Sequence, residues 1–108
     1  MIVIVEYERE DGTRPFSKWF DRLNVAAALK VRTAIARMET GNFSNVKSVG
    51  QGVAEYRLNY GPGYRIYFGM DGSKLVILLG GGTKKRQDRD IETARKHWKA
   101  YKIRKRTE

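Results

Sequence analysis

The sequence has no cysteine and only one histidine, His97. The missing cysteine excludes disulfides, a thiolate nucleophile and a sulfur-ligated zinc or iron site. A single histidine cannot form a two-histidine acid–base pair, and no cluster of carboxylates offers ligands to hard cations, so two-metal nuclease chemistry is disfavoured. We therefore expect a protein without a metal or other cofactor.

Long apolar runs are also missing, since no stretch approaches the roughly 20 residues that a bilayer-spanning helix needs. The opening residues MIVIV lack the charged flank and the cleavage site of a secretory signal. We expect a soluble, cytoplasmic protein that has no membrane partner.

Acidic residues are scarce, with 12 against 22 lysines and arginines, and the formal charge is +10 over 108 residues. The excess is concentrated near the C-terminus, where Lys84 to Arg106 contains eleven basic and three acidic residues. The length indicates one domain over residues 1–108. The basic segment points to an anionic partner such as nucleic acid, although a solvated helix face would have the same composition.

Hydrophobic patterning predicts an α+β domain with a mostly antiparallel sheet, an N-terminal helical hairpin and a C-terminal helix. The run LVILL is apolar on both faces, so both sides of the sheet should be covered there, the second side by the C-terminal helix. Trp19 and Trp98 are expected in the core. The expected elements are a strand at 2–8, a short helix capped by Thr13, a helix capped by Asn24, a loop at 42–52, strands near 53–59, 64–70 and 74–79, a helix from near Asp88 or Asp90, and a frayed basic tail at about 104–108.

Two turns predict the pairing of the three consecutive strands. The Asp-Gly pair in MDGS favours a two-residue hairpin turn, which would place Phe68 opposite Leu75. In the preceding hairpin, a three-residue Gly-Pro-Gly loop would place Arg57 opposite Tyr67 and Asn59 opposite Arg65.

Alternation along this hairpin separates an apolar face from a polar one. Tyr56, Leu58, Ile66 and Phe68 share the core face. The opposite face, expected to be open, carries the side chains of Glu55, Arg57, Asn59, Arg65 and Tyr67.

An alternative is that Arg57 simply pairs with Glu55 or another surface carboxylate on a solvated face, which contributes little energy. Here Lys84 and Lys85 follow the last strand just beyond GGGT, and His97 lies on the basic helix. Guanidinium groups bind phosphate bidentately, and the three glycines would let the backbone approach a ligand closely. The pattern favours binding of a polyanion. The sequence GGGTKK lacks the GxxxxGK[ST] spacing of a nucleotide-binding loop.

Metal-free cleavage of a phosphodiester would require RNA, because its 2′-hydroxyl can attack the adjacent phosphate once that group is positioned and its charge stabilised. Arg57 and Arg65 would stabilise the charge but cannot act as bases, since arginine stays protonated. The candidates for proton transfer remain open: Lys84, Lys85, Tyr67, Glu55 and His97.

The runs GVAEYRLNYGPGYRIYF and LLGGGTKKRQDRDIETARKHWKAY resemble the RelE/ParE superfamily of type II toxins, most closely the HigB-like branch of addiction module killer proteins. The runs PFSKWFDRL and GNFSNVKSVGQGV are similar to the same branch, so that the resemblance covers about residues 2–101. It implies a metal-independent endoribonuclease, an mRNA interferase that cuts messenger RNA in the ribosomal A site and inhibits translation. It also implies a cognate antitoxin as partner.

The resemblance implies particular site residues. Arg57 matches the arginine of the family's ELR strand, Arg65 that of GYR, and Lys84 the lysine after the glycines; Thr83 departs from the family's aspartate. With Tyr67 these three form the expected catalytic set. The expected RNA-binding residues are Lys85, Arg86, Asn59, His97 and Lys47.

The fold leaves two other functions open, because ParE-like relatives inhibit DNA gyrase and a toxin that has lost catalysis would only bind its partner. A ribonuclease would cut transcripts, and a gyrase inhibitor would arrest growth with DNA damage and intact transcripts. A binding domain alone would not be toxic.

Overall fold

A computed structural model describes residues 1–107 and contains one five-stranded sheet with helices on both faces. The strand order is β1-β5-β4-β3-β2, and every pair is antiparallel except β1 with β5. The predicted α+β class is confirmed. The elements are β1 (Val3–Glu6), α1 (Pro15–Phe20), α2 (Val25–Glu39), β2 (Val46–Gly50), β3 (Val53–Arg57), β4 (Tyr64–Met70), β5 (Leu75–Thr83), a 3-10 turn (Lys84–Arg86) and α3 (Gln87–Thr107).

Strand β2 corrects the prediction of an uninterrupted loop at 42–52. Val46 and Val49 are half-buried, while the other three residues of the strand are exposed. An edge strand with so little apolar character gives no clear alternation, and its conformation comes from hydrogen bonds to β3. The sheet therefore has one more strand on the side of Arg57 than the sequence indicated.

The two N-terminal helices begin differently. The Asn24 side chain accepts a hydrogen bond from the Ala27 amide at 2.8 Å and caps α2, as predicted. Thr13 does not cap α1, whose N-cap residue is Arg14. Instead, the Ser17 amide and hydroxyl donate to Glu6 Oε1 at 2.9 and 2.6 Å, so a carboxylate of β1 satisfies the start of α1.

The sheet has a core on each face. Trp19 of α1 and Met38 of α2 are buried against one face, together with Ile66 and Phe68. Trp98 of α3 is buried against the other face with Ile77 and Leu79. Both tryptophans are core residues and both faces of β5 are covered, as the sequence predicted.

The β4–β5 hairpin has a different register from the predicted one. Phe68 lies opposite Leu78 and not Leu75, because the turn is longer than two residues and closes with a hydrogen bond from the Asp71 amide to the Leu75 carbonyl at 2.8 Å. The Asp71 carboxylate accepts hydrogen bonds from the Tyr101 hydroxyl at 2.6 Å and from Lys105 at 2.5 Å. The longer turn is thus bonded to α3 through the side chain of Asp71.

The β3–β4 register is shifted by two residues from the prediction. Arg57 lies opposite Arg65 and Glu55 opposite Tyr67, and Asn59 belongs to the turn. The Leu58 amide donates to the Tyr64 carbonyl at 2.9 Å, which makes the loop five residues long instead of three. A shift of two leaves every side chain on its predicted face.

Side chains of this protein pack against the glycine run at the end of β5. The prediction that these glycines make room for a ligand is therefore wrong at Gly81 and Gly82. A Cβ at Gly81 would lie 2.2 Å from the Trp19 ring, and one at Gly82 would lie 2.0 Å from Asp90 Oδ2. Trp19 and Asp90 therefore fill the space on opposite faces of β5.

Helix α3 crosses β3, β4 and β5 and continues to Thr107. Residues 104–107, expected as a frayed tail, are helical, and Arg104 donates to the Glu8 carbonyl at 2.7 Å. Within residues 1–107, no helix is both long and apolar enough to cross a membrane.

We predict that Gly81→Ala lowers the free energy of unfolding by about 1–3 kcal/mol, because the added methyl group overlaps the Trp19 ring. Urea unfolding of Gly81→Ala, Trp19→Leu and the double variant tests the contact. The double variant should lose less stability than the sum of the single variants, since the smaller side chain makes room for the methyl group. Additive losses would contradict the packing described here.

Candidate functional site

The site begins with a carboxylate buried in the sheet. The Glu55 side chain on β3 is fully buried on the face that α3 crosses. Its Oε1 accepts a hydrogen bond from Arg57 Nε at 2.8 Å, and both of its oxygens accept from Gln87 Nε2, at 3.2 and 3.1 Å. Arg65 Nε lies 3.5 Å from Oε2. A carboxylate without water requires such partners, so Glu55 holds the two arginines together.

Arg57 is the arginine of this pair that reaches solvent. Its side chain is 49% exposed, and only its Nε is engaged with Glu55. Within residues 1–107 its two terminal nitrogens make no hydrogen bond. Glu55 therefore orients the guanidinium while leaving the bidentate edge available to an anion.

Arg65 is buried, which corrects the expectation that both arginines lie on an open face. Its side chain is 7% exposed, its Nη1 donates to the Gly63 carbonyl at 2.8 Å, and its Nε has no hydrogen bond within residues 1–107. The face is covered because the start of α3 brings Gln87 across it to Glu55. Arg65 thus adds positive charge to the site from a buried position.

A groove of about 520 Å³ runs along the edge of these residues. The Lys84 amide donates to the Pro62 carbonyl at 3.4 Å, which ties the 3-10 turn to the β3–β4 loop at the groove. Lys47, Arg57 and Lys84 are exposed, so their charges are accessible to an anionic ligand. The groove is lined by Ser44, Asn45, Val46, Lys47, Arg57, Leu58, Asn59, Gly63, Tyr64, Arg65 and Lys84.

The structure therefore brings five of the nine predicted site residues to one groove: Lys47, Arg57, Asn59, Arg65 and Lys84. Lys85 and Arg86 lie beyond it on the exposed 3-10 turn. Such a cation-lined groove can bind a phosphate and stabilise added negative charge on it.

Tyr67 lies away from the groove, beneath α3. It is 1% exposed, and its hydroxyl has no hydrogen-bond partner within residues 1–107. Burial raises the pKa of Tyr67 far above its usual value, and the nearby charges of Glu55 and Asp90 raise it further. The hydroxyl therefore stays protonated.

His97 also lies away from the groove. Its ring stacks on Tyr7 with centroids 5.0 Å apart, and its Nδ1 lies 3.2 Å from the Leu79 carbonyl oxygen. Burial lowers the pKa of His97, the hydrogen bond to Leu79 opposes that shift, and the charge of Arg9 adds to it. His97 therefore does not contribute to the groove.

Sequence reasoning missed Gln87 entirely. It named Glu55 as a proton-transfer candidate and as a surface partner of Arg57; the pairing with Arg57 is confirmed, but the carboxylate is buried. Gln87 is 32 residues from Glu55 in the chain, and no local pattern connects them. The available signal for the burial of Glu55 was its place in a β-strand, where alternation directs its side chain toward a covered face. Within residues 1–107, no group of three or more histidine, aspartate and glutamate side chains is arranged to hold a metal ion.

Comparison with known proteins finds a family model and a relative that match this chain. The family model described as phage derived protein Gp49-like (DUF891) matches residues 18–99. An uncharacterized protein of Haemophilus influenzae is 43% identical over 84 residues, which cover 77% of this chain and 85% of that relative. The family match spans β2–β5, the groove residues and most of α3.

We predict that Glu55→Gln lowers the free energy of unfolding by about 3–5 kcal/mol, because the buried Arg65 loses its nearby carboxylate. Glu92→Gln is the matched control, since Glu92 is 71% exposed and its pair with Lys96 spans 3.9 Å. That change should cost less than about 0.5 kcal/mol. Urea unfolding measures both, and equal small losses would show that Glu55 does not organise the site.

We predict that His97 makes stability depend on pH. Its folded-state pKa is lowered, so the unfolded chain takes up the proton first as the pH falls, and stability declines below about pH 7. NMR titration of His97, the single histidine of the sequence, should give a midpoint below about pH 6.5. Urea unfolding of His97→Gln at several pH values should lack the decline in stability that His97 causes. A midpoint at or above 6.5 in the folded protein would contradict the burial effect.

Proposed function

The chain belongs to the phage-derived Gp49-like family (DUF891), a toxin-like family of addiction modules, and on that basis we propose that it is a toxin that cuts messenger RNA. The family implies an antitoxin as partner. We further assign the chain to the RelE/ParE superfamily, in its HigB-like branch, because the motifs around Arg57, Arg65 and Lys84 resemble that branch. It would act in the cytoplasm on messenger RNA in the ribosomal A site and so inhibit translation.

The observation that carries this proposal is the arrangement of Arg57 at the groove. Glu55 fixes its Nε at 2.8 Å, while its terminal nitrogens face a groove that Lys47 and Lys84 also line. A preorganised guanidinium can bind the non-bridging oxygens of a phosphate as negative charge develops on them. The buried Arg65 adds positive charge and holds the Gly63 carbonyl.

The proposed reaction is attack of an RNA 2′-hydroxyl oxygen on the adjacent phosphorus, with the hydroxyl proton passing to water. The bond from phosphorus to the 5′-oxygen breaks, leaving a 2′,3′-cyclic phosphate and a 5′-hydroxyl end. The ribosome would align the messenger RNA, and Arg57 would stabilise the charge of the phosphorane.

Lys84 is the group that we assign to proton transfer. Of the five candidates from the sequence, Lys84 lines the groove, whereas Tyr67 is buried beneath α3 and His97 stacks on Tyr7. The Lys84 ammonium group would donate a proton to the departing 5′-oxygen. The 3-10 turn holds Lys84 beside the β3–β4 loop through its hydrogen bond to Pro62.

We predict that Arg57→Ala strongly slows the cleavage of messenger RNA while the protein stays folded, because the side chain is half-exposed and Arg65 and Gln87 remain beside Glu55. The measurement is induced expression in a susceptible bacterium, with the 5′ ends of transcripts mapped within minutes. Loss of one charge-stabilising donor should slow cleavage by about 10²–10³-fold.

Arg106→Ala is the matched control, since Arg106 is an exposed arginine at the far end of α3. It should cut translated regions like the unchanged protein. Circular dichroism would establish that Arg57→Ala is folded. Arrested growth with intact transcripts and damaged DNA would replace the proposal by gyrase inhibition, and unimpaired growth would leave a binding domain.

A further inference from the structure

A second cavity, of about 400 Å³, lies between α1, the end of β5 and the first half of α3. Gly80 forms part of its wall at a β-bulge opposite Tyr67. A Cβ at Gly80 would meet nothing within 4 Å, so open space adjoins the backbone there. We call this space the α1–α3 cavity. It is separate from the groove, because no residue lines both.

Tyr67 in the wall of the α1–α3 cavity presents an unexplained polar group. Its hydroxyl is buried and makes no hydrogen bond within residues 1–107. An unpaired buried hydroxyl is unfavourable, and native structures contain few of them. A phenylalanine would fill the same core position without that loss, and the hydroxyl is left as a donor for a partner outside this chain.

The rim of the α1–α3 cavity is strongly cationic. Arg9, Lys18, Arg22 and Arg86 line it and are exposed, and none of the four forms a salt bridge with a carboxylate of residues 1–107. Four cations against the one carboxyl group of Asp90 leave this concave surface with an excess of positive charge, which attracts a multiply charged anion such as a phosphate. The rim by itself specifies only charge.

The interior of the α1–α3 cavity adds an acceptor to the Tyr67 donor. Asp90 is half-buried at its wall, and burial raises the pKa of this carboxyl despite the opposing charges of Arg86 and Arg89. The Nδ1 of His97 faces a carbonyl oxygen, so the neutral ring carries its proton there and leaves Nε2 as an acceptor. Hydrogen-bond acceptors in the cavity would not help to bind an inorganic anion, whereas the edge of a nucleobase presents both hydrogen-bond donors and acceptors.

We propose that the α1–α3 cavity is a nucleotide-binding site, in which the rim cations hold the phosphate and Tyr67 and Asp90 contact the base. Its volume falls within the range of small-molecule sites. Lys84 lines the groove and Arg86 lines this cavity, so the 3-10 turn forms a basic connection between them. The idea that one RNA strand occupies both sites rests on the proposed function. The binding of a nucleotide in the α1–α3 cavity does not rest on it.

The test measures binding of the four nucleoside 5′-monophosphates by equilibrium dialysis and locates it by NMR of isotope-labelled His97, which lines the cavity. At least one nucleotide should bind saturably and shift the His97 signal. Inorganic phosphate, used as a second probe, should bind at least tenfold more weakly. Tyr67→Phe should weaken nucleotide binding about five- to tenfold, as expected for loss of one hydrogen bond.

Two variants serve as controls. Tyr56→Phe alters a buried tyrosine on the opposite face of the sheet and should leave nucleotide binding unchanged. Arg57→Ala removes a groove residue and should keep the shift of the His97 signal, because Arg57 does not line the α1–α3 cavity. Failure of the nuclease proposal and failure of this one are therefore distinguishable. Tyr67→Phe should be at least as stable as the unchanged protein, because its hydroxyl has no partner to lose.

The absence of saturable binding for all four nucleotides would overturn the inference. So would equal affinity of the Tyr67→Phe variant, or binding of inorganic phosphate as tightly as of the nucleotides. A saturable shift of His97 that weakens in Tyr67→Phe and persists in Arg57→Ala would establish a nucleotide site apart from the groove.

Discussion

The structure of the site depends on one interaction, the burial of the Glu55 carboxylate between Arg57, Arg65 and Gln87. A charge without water is tolerated only when opposite charges and hydrogen-bond donors surround it, so Glu55 requires two arginines on adjacent strands and the first residue of α3 at once. The same requirement positions Arg57. With Nε committed to the carboxylate, its terminal nitrogens are left for solvent or for an anion. A buried negative charge thus organises a positive surface.

The path of α3 decides which cations remain accessible. Because Trp98 packs against Gly69 and Asp90 against Gly82, the helix lies close to β4 and β5 and covers Arg65 and Tyr67. Side chains at the edge of this cover, Arg57 and Lys84, form the groove. On the other side of the 3-10 turn the same helix leaves the α1–α3 cavity beside α1. The glycines of the strands therefore shape both concave surfaces by allowing close packing of large side chains.

Membership of a toxin-like family gives the excess of positive charge a physical meaning. Cations that converge on a groove repel one another, so a partner that brings negative charge stabilises the surface. In the proposed function, RNA phosphates would supply that charge. The family also implies an antitoxin partner, and one with negative charge would stabilise the same surface.

Several features followed from the sequence alone. Alternation in β3 and β4 assigned Tyr56 and Ile66 to the core and Glu55 and Arg65 to the opposite face, because side-chain direction depends only on the period of the strand. The run LVILL required cover on both sides. The motifs around Arg57, Arg65 and Lys84 pointed to a toxin, and the Gp49-like family is a toxin-like family of addiction modules. The tertiary structure decided the registers, which loop length controls, and the burial of Arg65, since no local pattern shows where α3 crosses the sheet. It also joined Gln87 to Glu55 and enclosed Tyr67 beside Gly80, because contacts between residues far apart in the chain form only when the helices pack.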